Sequence, residues 1–180
     1  MSYSFLMGLI GSLVLVLGAA WPELKVIKHP IYSTKNWLLA SGGLIMFFYA
    51  ITSYLQGGSL FFIILEILVL VSSVLMILNS SDKIDFIILM VSAIGLTVWS
   101  LFLFEGYSTI IFIFGLAGVG LGYAFEMKTL RRSIALTLGS VLIALFSYFE
   151  ANWVFFWLNL FFAVISGWYV YSCLMKKKHN

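Results

Sequence analysis

Two polar residues, Glu66 and Asn159, interrupt long apolar stretches of the sequence, and their side chains could bind a solute. A carboxyl group in hydrocarbon costs on the order of a few kcal/mol even on insertion scales, so such an acid usually faces a bundle interior or a wet cavity. Each residue lies six positions beyond the start of its stretch, at Leu60 or Trp153, which is about 9 Å along a helix. We therefore expect both to line one central site, where Glu66 binds solute or carries a proton. In the alternative, a protonated Glu66 holds a neighbouring helix by a hydrogen bond.

Trp157, Ser53 and Ser147 are further candidates for contact with a solute. Trp157 precedes Asn159 by two residues, and an aromatic wall beside a polar group can stack on a sugar ring or a nucleobase. It would serve equally as a lipid-facing residue. Ser53 and Ser147 lie near the outer ends of two apolar stretches, where they either hydrogen-bond the solute as an outer gate or occupy the bilayer interface.

Catalytic, metal and nucleic-acid chemistry find little support in the sequence. The single cysteine, Cys173, excludes an intramolecular disulfide, and no Cys/His cluster has metal-site spacing. Glu105 and Glu150 lie in short loops without a nearby histidine, so no nucleophile, base and orienting group can be named. The net charge of +3 is too small to indicate nucleic-acid binding. We expect neither an enzyme nor a bound cofactor.

The composition places these residues in a membrane protein. Of the 180 residues, 63% are hydrophobic and only 9% are charged, whereas a soluble domain carries roughly 25% charged residues. Backbone groups in hydrocarbon must satisfy their own hydrogen bonds, and strand-like alternation is absent from the sequence. We therefore predict an all-α integral membrane protein. Its seven predicted transmembrane helices cover residues 4–21, 37–55, 60–78, 85–103, 109–125, 133–148 and 153–174.

Basic residues fall in alternate connections between these helices. Under a seven-helix topology all ten Lys and Arg residues lie on one side, and short loops rich in Lys and Arg stay cytoplasmic. The sequence therefore predicts an N-terminus outside and a C-terminus in the cytoplasm, in a multi-pass protein of a bacterial-type plasma membrane. The ten are Lys25, Lys28, Lys35, Lys83, Lys128, Arg131, Arg132, Lys176, Lys177 and Lys178.

An internal repeat appears when the chain is shifted against itself by 94 residues. Such repeats indicate duplicated bundles, and an even number of crossings between the copies makes them parallel. We predict two parallel three-helix bundles, residues 1–79 and 105–180, the second with a basic C-terminal tail, joined by a linker helix in 80–104 (a 3+1+3 arrangement). The identities pair Leu44 with Leu138, Ala50 with Ala144, Ser53 with Ser147, Tyr54 with Tyr148, Phe61 with Phe155, Phe62 with Phe156 and Ser72 with Ser166.

Several short motifs carry a resemblance to a known superfamily; they are Pro22-Glu23, Asn36-Trp37, Tyr49-Ala50 and Gly167-Trp168-Tyr169. With this topology, the chain resembles the PQ-loop and SWEET transporters, including bacterial nicotinamide riboside transporters of the Pnu type. In SWEET-like proteins an Asn in each of the third and seventh helices flanks the substrate. The resemblance implies that Asn159 is one of these and that Glu66 replaces the other, and it adds Tyr49 to the candidate solute-binding residues.

The sequence thus favours a small secondary transporter or facilitator that moves a small polar solute by alternating access between two triple-helix bundles. A sugar, a nucleoside or vitamin precursor and an amino acid are all open, as are proton coupling through Glu66 and assembly into a homo-oligomer. The alternative is a non-transporting membrane receptor or assembly subunit on the same scaffold, since a fold does not dictate transport. A wet polar cavity between the third and seventh helices would favour the transporter.

Overall fold

Each apolar stretch forms one α-helix in the computed structural model, which describes residues 3–21, 30–78, 81–125 and 129–178. All seven helices are long and apolar enough to cross a membrane, with mean hydropathy between 1.6 and 2.9, and no strand occurs in these ranges. The prediction of an all-α protein with seven membrane-spanning helices is confirmed. The helices are α1 (Tyr3–Ala20), α2 (Thr34–Leu55), α3 (Phe61–Leu78), α4 (Asp82–Phe102), α5 (Tyr107–Ala124), α6 (Leu130–Phe149) and α7 (Trp153–Lys178), and one 3-10 turn, Pro30–Tyr32, precedes α2.

Three helices, α2, α4 and α6, begin three residues before their apolar stretches. At α2 and α6 the reason is local capping, which hydropathy does not record, whereas at α4 the Ser81 side chain makes no capping hydrogen bond. The side chain of Ser33 accepts a hydrogen bond from the Asn36 amide, and that of Thr129 accepts one from the Arg132 amide. These caps satisfy amides that have no partner within the helix, so polar first turns extend each helix beyond its apolar part.

The turns that end α2 and α6 have the same hydrogen bonds. The Gly58 amide donates to the Ser53 carbonyl, and the Asn152 amide donates to the Ser147 carbonyl, each over 2.9 Å. The donors Gly58 and Asn152 are 94 residues apart, and so are the acceptors Ser53 and Ser147. This is the shift at which the sequence repeats. The repeat is therefore a repeat of backbone geometry at this point and not only of composition.

The same two turns each contain a residue with a left-handed backbone. The φ angle is 92° at Gly57 and 52° at Ala151, and these positions are again 94 residues apart. A residue in this conformation lets the chain reverse and satisfy the last carbonyls of the helix. Glycine adopts it without steric cost, whereas alanine does not.

The helices form a ring in chain order. Each helix packs against the next one in the chain, and α7 packs against α1 and so closes the ring. In addition, α3 contacts α5 directly, and α4 packs against both. From α2 to α7 only a few residues separate each helix from the next, so consecutive helices are antiparallel. The helices α2, α4 and α6 therefore begin at the same end of the bundle. We call this the basic end, because Lys35, Lys83 and Arg132 lie there; the acidic end, with Glu105 and Glu150, is opposite.

Glycines bring neighbouring helix backbones close together. A Cβ atom on Gly139 of α6 would lie 2.5 Å from the Val119 backbone nitrogen of α5, and one on Gly42 of α2 would lie 2.8 Å from the Leu15 nitrogen of α1. Close approach of this kind gains van der Waals contact, which drives helix association in a bilayer where lipid tails are as apolar as the side chains.

Candidate functional site

A cavity of about 430 Å³ occupies the centre of the ring. Six of the seven helices contribute to its wall, and α4 does not. Apolar side chains such as Leu15, Leu39 and Leu158 make up much of the surface, with polar groups set between them. Its size falls within the roughly 300–1,000 Å³ of small-molecule sites, whose walls are typically apolar with a few placed polar groups.

The cavity extends from the basic end to beyond the middle of the bundle. Lys35 and Arg132, in the first turns of α2 and α6, line one end, and Glu66, in the second turn of α3, lines the other. Met76 and Glu66 of α3 are both on the wall, and their separation of ten positions spans about 15 Å along the helix. This is about half of a hydrocarbon core of roughly 30 Å.

Glu66 lies at the blind end of this cavity. Its side chain is 1% exposed, and its Oε2 atom has no hydrogen-bond partner among the described residues. A buried polar atom without a partner costs free energy unless a ligand, water or proton compensates it. The structure thus places one unsatisfied acidic oxygen against a space that can hold a small molecule.

Asn159 of α7 lines the same cavity as Glu66. Its side chain is 7% exposed, and its Nδ2 donates to the carbonyl of Phe155 over 2.9 Å. That bond uses an amide proton and leaves Oδ1 as the acceptor atom. The two residues on which the sequence analysis depended are therefore brought to one site.

A layer of five phenylalanine side chains closes the cavity on the side of the acidic end. None of the five is more than 2% exposed, and they come from four helices, so the layer joins α3, α5, α6 and α7. The shortest ring contacts, between centroids, are 4.3 Å for Phe62 with Phe155, 4.9 Å for Phe61 with Phe112 and 5.0 Å for Phe112 with Phe146. We call these five side chains the aromatic layer.

Tyr49 packs against the aromatic layer, which forms the closed end of the bundle, and it does not line the cavity. Its ring lies 5.7 Å from that of Phe155, and its hydroxyl donates to Oδ1 of Asn152 over 3.1 Å. Ser147 is fully buried, and its hydroxyl donates to the Ile143 carbonyl over 2.7 Å. Ser53 holds the turn after α2 and is likewise outside the cavity wall.

Trp157 lies on the outside of the bundle, with 53% of its surface exposed. Its ring contacts those of Phe156 and Phe161 on the same helix, at 5.2 and 6.5 Å. It is not on the cavity wall, and its position fits the alternative of a lipid-facing residue.

The sequence analysis missed several polar groups on the wall, because serine, tyrosine and arginine near helix ends are common in membrane proteins. A signal was present: Ser73 is seven residues after Glu66, and Ser166 is seven after Asn159, which is two helical turns along one face. The missed residues include Ser72, Ser73, Tyr123, Arg132, Ser140 and Ser166.

Some sequence expectations concern residues outside the described ranges. Pro22-Glu23, Lys25, Lys28 and Lys128 are among them. Within the described ranges, no group of three or more His, Cys, Asp or Glu side chains could hold a metal ion.

Comparison of the chain with protein-family models, curated proteins and solved structures gives no match. The function therefore has to be inferred from the cavity, its blind end and the chemistry of its wall.

Proposed function

We propose that this protein is a small secondary transporter or facilitator for a small polar solute, working by alternating access. The observation that carries the proposal is the central cavity, which is closed on one side by the aromatic layer and presents the unpartnered Oε2 of Glu66 at its blind end. An intramembrane acid facing a cavity is typical of a solute or proton pathway. A packed apolar core would instead have favoured a receptor or assembly subunit.

Pairs of equivalent residues on the cavity wall support two parallel three-helix units. Gly11 and Gly18 of α1 have the same seven-residue spacing as Gly115 and Gly122 of α5, which aligns these helices, and the shift of 94 residues aligns α2 with α6 and α3 with α7. Both members of five aligned pairs line the cavity, as expected for a site between repeats. The pairs are Leu15 with Val119, Ala19 with Tyr123, Leu39 with Ser133, Leu65 with Asn159 and Ser72 with Ser166.

The 3+1+3 arrangement follows from this pairing as part of the proposal. Helices α1 to α3 form one unit, α5 to α7 form the other, and α4, which is absent from the wall, links them. This is the organisation of the PQ-loop and SWEET superfamily that the sequence resembles. Alternating access is then a movement of one unit against the other around the site.

The positive-inside tendency assigns the basic end to the cytoplasm. With that orientation the cavity in this structure faces the cytoplasm, and the aromatic layer together with Tyr49 closes the outer side. Opening to the outside requires the rings of α3 to separate from those of α5, α6 and α7, while the basic ends of the two units approach each other.

Solute flux through reconstituted protein tests the proposal. Proteoliposomes are loaded with sugars, nucleosides or amino acids, and exchange of a labelled solute is measured for the wild type, Glu66→Gln and Asn159→Ala. We expect exchange in the wild type and at least about a tenfold loss in each variant, since a missing buried hydrogen bond is worth 1.4 kcal/mol or more. Glu105→Gln, which changes an acid off the cavity wall, is the matched control and should retain exchange.

Two results would overturn the proposal. Exchange that persists unchanged in both Glu66→Gln and Asn159→Ala would remove the cavity from the pathway. If thermal unfolding shows that the reconstituted protein is folded and no solute class exchanges, the receptor or assembly subunit would be favoured.

A further inference from the structure

Two serine hydroxyls on the cavity wall are left mainly as acceptors. The hydroxyl of Ser73 already donates to the Val69 carbonyl over 2.8 Å, and that of Ser166 donates to the Phe162 carbonyl over 2.6 Å. With these protons used, the oxygen lone pairs are what remains for a ligand. Asn159 uses one of its two Nδ2 protons on the Phe155 carbonyl and keeps Oδ1 as an acceptor. A ligand that contacts these oxygens therefore has to supply the donors.

The acidic oxygen at the blind end is not paired with a basic side chain. The other titratable groups on the wall are Lys35 of α2, Tyr123 of α5, Arg132 of α6 and Tyr169 of α7, while the wall residues of α1 carry no charge. The Arg132 guanidinium donates to the carbonyl of Phe125, at the end of α5, over 3.1 Å.

The distance between Glu66 and this guanidinium follows from the packing of α3 on α5. A Cβ atom on Gly120 would lie 3.6 Å from the Cδ2 atom of Leu68, so these two residues are at similar depth. Glu66 lies two residues from this level toward the acidic end, and Phe125 lies five residues from it toward the basic end. The seven residues correspond to about 10 Å, which exceeds the roughly 4 Å limit of an ion pair.

A carboxylate in this position requires a counter-charge. Burying an ionised group without one costs far more than a neutral group, so either a proton or a bound cation has to neutralise it. In the part of the wall formed by the turns around Glu66 and Asn159, the apolar residues are Leu65, Val69, Leu158 and Phe162, which fit an apolar or aromatic body. The head of the ligand would be cationic and rich in donors, and its body would be apolar.

We infer that Glu66 binds a proton and a primary organic ammonium ion in alternation, so that the protein exchanges one for the other. This inference rests on the proposed function and names the solute class: a small primary amine in its ammonium form with a compact apolar or aromatic body. A quaternary ammonium ion lacks N–H donors for Glu66 and Asn159, and a neutral alcohol lacks the charge for Glu66.

The exchange balances in charge and in protons. When the ammonium ion enters, the protonated carboxyl of Glu66 releases its proton to water in the cavity, and N–H groups of the ion donate to the carboxylate and to Oδ1 of Asn159. When the ion leaves, a proton from water returns to the carboxylate. No bond of the solute is broken, and the site carries no net charge in either state.

Calorimetry on the purified full-length protein tests the inference with 2-phenylethylammonium as the probe. Titrations in two buffers of different ionisation enthalpy give the number of protons released on binding. We expect release approaching one proton per bound ion under mildly acidic conditions, and affinity that rises with pH in that range. 2-Phenylethanol and the trimethylammonium analogue should each bind at least about tenfold more weakly, since each loses a charge-assisted or direct hydrogen bond.

Variants test whether proton release and probe binding depend on Glu66. Glu66→Gln should abolish proton release and weaken probe binding, whereas Glu66→Asp, which keeps the carboxylate, should retain proton release. Glu105→Gln should behave like the wild type. Equal binding of the alcohol and the ammonium ion, or unchanged proton release in Glu66→Gln, would overturn the inference.

The inference and the proposed function fail in different ways. Proton-linked binding of the ammonium probe without any flux in proteoliposomes would support the site chemistry and contradict the transporter. Flux of a neutral solute that is lost in Glu66→Gln, with no ammonium binding to the wild type, would support the transporter and contradict the solute class.

Discussion

The hydroxyl of Tyr49 donates a hydrogen bond to Oδ1 of Asn152 over 3.1 Å and thereby joins α2 to the turn between α6 and α7. The same oxygen accepts a bond from the Phe155 amide in the first turn of α7, over 3.3 Å. In the proposed 3+1+3 arrangement this contact links the two units at the closed end of the cavity. A protein that opens on that side has to break it.

We expect Tyr49→Phe to destabilise the closed end while keeping the ring against Phe155. A hydrogen bond of this kind contributes about 1 kcal/mol net, so the thermal midpoint in detergent should fall modestly. A cysteine introduced at Phe61, on the aromatic layer, should react faster with a small thiol reagent in the Tyr49→Phe background, provided that Cys173 is first replaced by serine. Tyr54→Phe, at an exposed tyrosine of the same helix, is the control. Equal reactivity in both backgrounds would show that the bond does not hold the end closed.

Ala151→Gly should stabilise the protein. Alanine at a φ of 52° is strained by roughly 1–2 kcal/mol, and glycine removes this strain but loses about 0.4–1 kcal/mol through the unfolded state. The net gain should be about 0.5–1 kcal/mol, measured as the free energy of unfolding in mixed micelles. Gly57→Ala at the equivalent turn, with a φ of 92°, should have the opposite sign. A loss of stability in Ala151→Gly would contradict the conformational argument.

Gly139→Ala should separate α5 from α6. The added Cβ would meet the Val119 backbone nitrogen at 2.5 Å and the Gly118 carbonyl carbon at 2.8 Å, and backbone cannot move as a flexible side chain can. Overpacking of this kind costs about 1–3 kcal/mol. Gly95→Ala is the matched control, because nothing lies within 4 Å of its Cβ position and alanine favours the helix. If both variants unfolded at the same temperature, the close approach of α5 and α6 would not contribute to stability.

Glu150 should make stability depend on pH at the acidic end. Partial burial raises the pKa of its carboxyl above the usual 4.5, and the nearby charge of Glu105 raises it further, against a hydrogen bond from Ser108 that lowers it. A raised pKa means that the folded state binds the proton more tightly, so this contribution to stability is full below about pH 4.5 and is lost as pH rises through the folded pKa.

The measurement is thermal unfolding between about pH 4 and pH 7. Glu150→Gln should gain stability relative to the wild type as pH rises, and Glu105→Gln should show part of the same effect because it removes one cause of the shift. Parallel pH profiles for the wild type and Glu150→Gln would contradict the assignment.

The number and type of the helices could be predicted from composition, because a backbone in hydrocarbon has few ways to satisfy its hydrogen bonds. The starts of α2 and α6 could not be read from hydropathy, since the caps Ser33 and Thr129 extend these helices into polar sequence. The sequence repeat predicted equivalent positions, and the turns at Gly57 and Ala151 have the same geometry at that spacing. The 3+1+3 division and the orientation of the termini stay predictions.

For the site residues, depth along the helix could be predicted from the sequence, but the direction in which each side chain points could not. Counting residues put Glu66 and Asn159 at comparable depth, and both line the cavity. The same counting put Trp157 beside them, but successive residues of a helix point about 100° apart, and this side chain faces outward. Tyr49 was expected at the solute and instead lies at the closed end, bound to Asn152.

The sequence by itself determined that the chain is a seven-helix membrane protein with one acid, Glu66, inside the apolar region, because length, hydropathy and charge are properties of each segment alone. Only the tertiary structure decided that this acid faces a cavity, that buried phenylalanines lie between the cavity and the acidic end, and that serines line the same wall. Those features depend on how six helices from distant parts of the chain are rotated about their axes, which is set by packing between them.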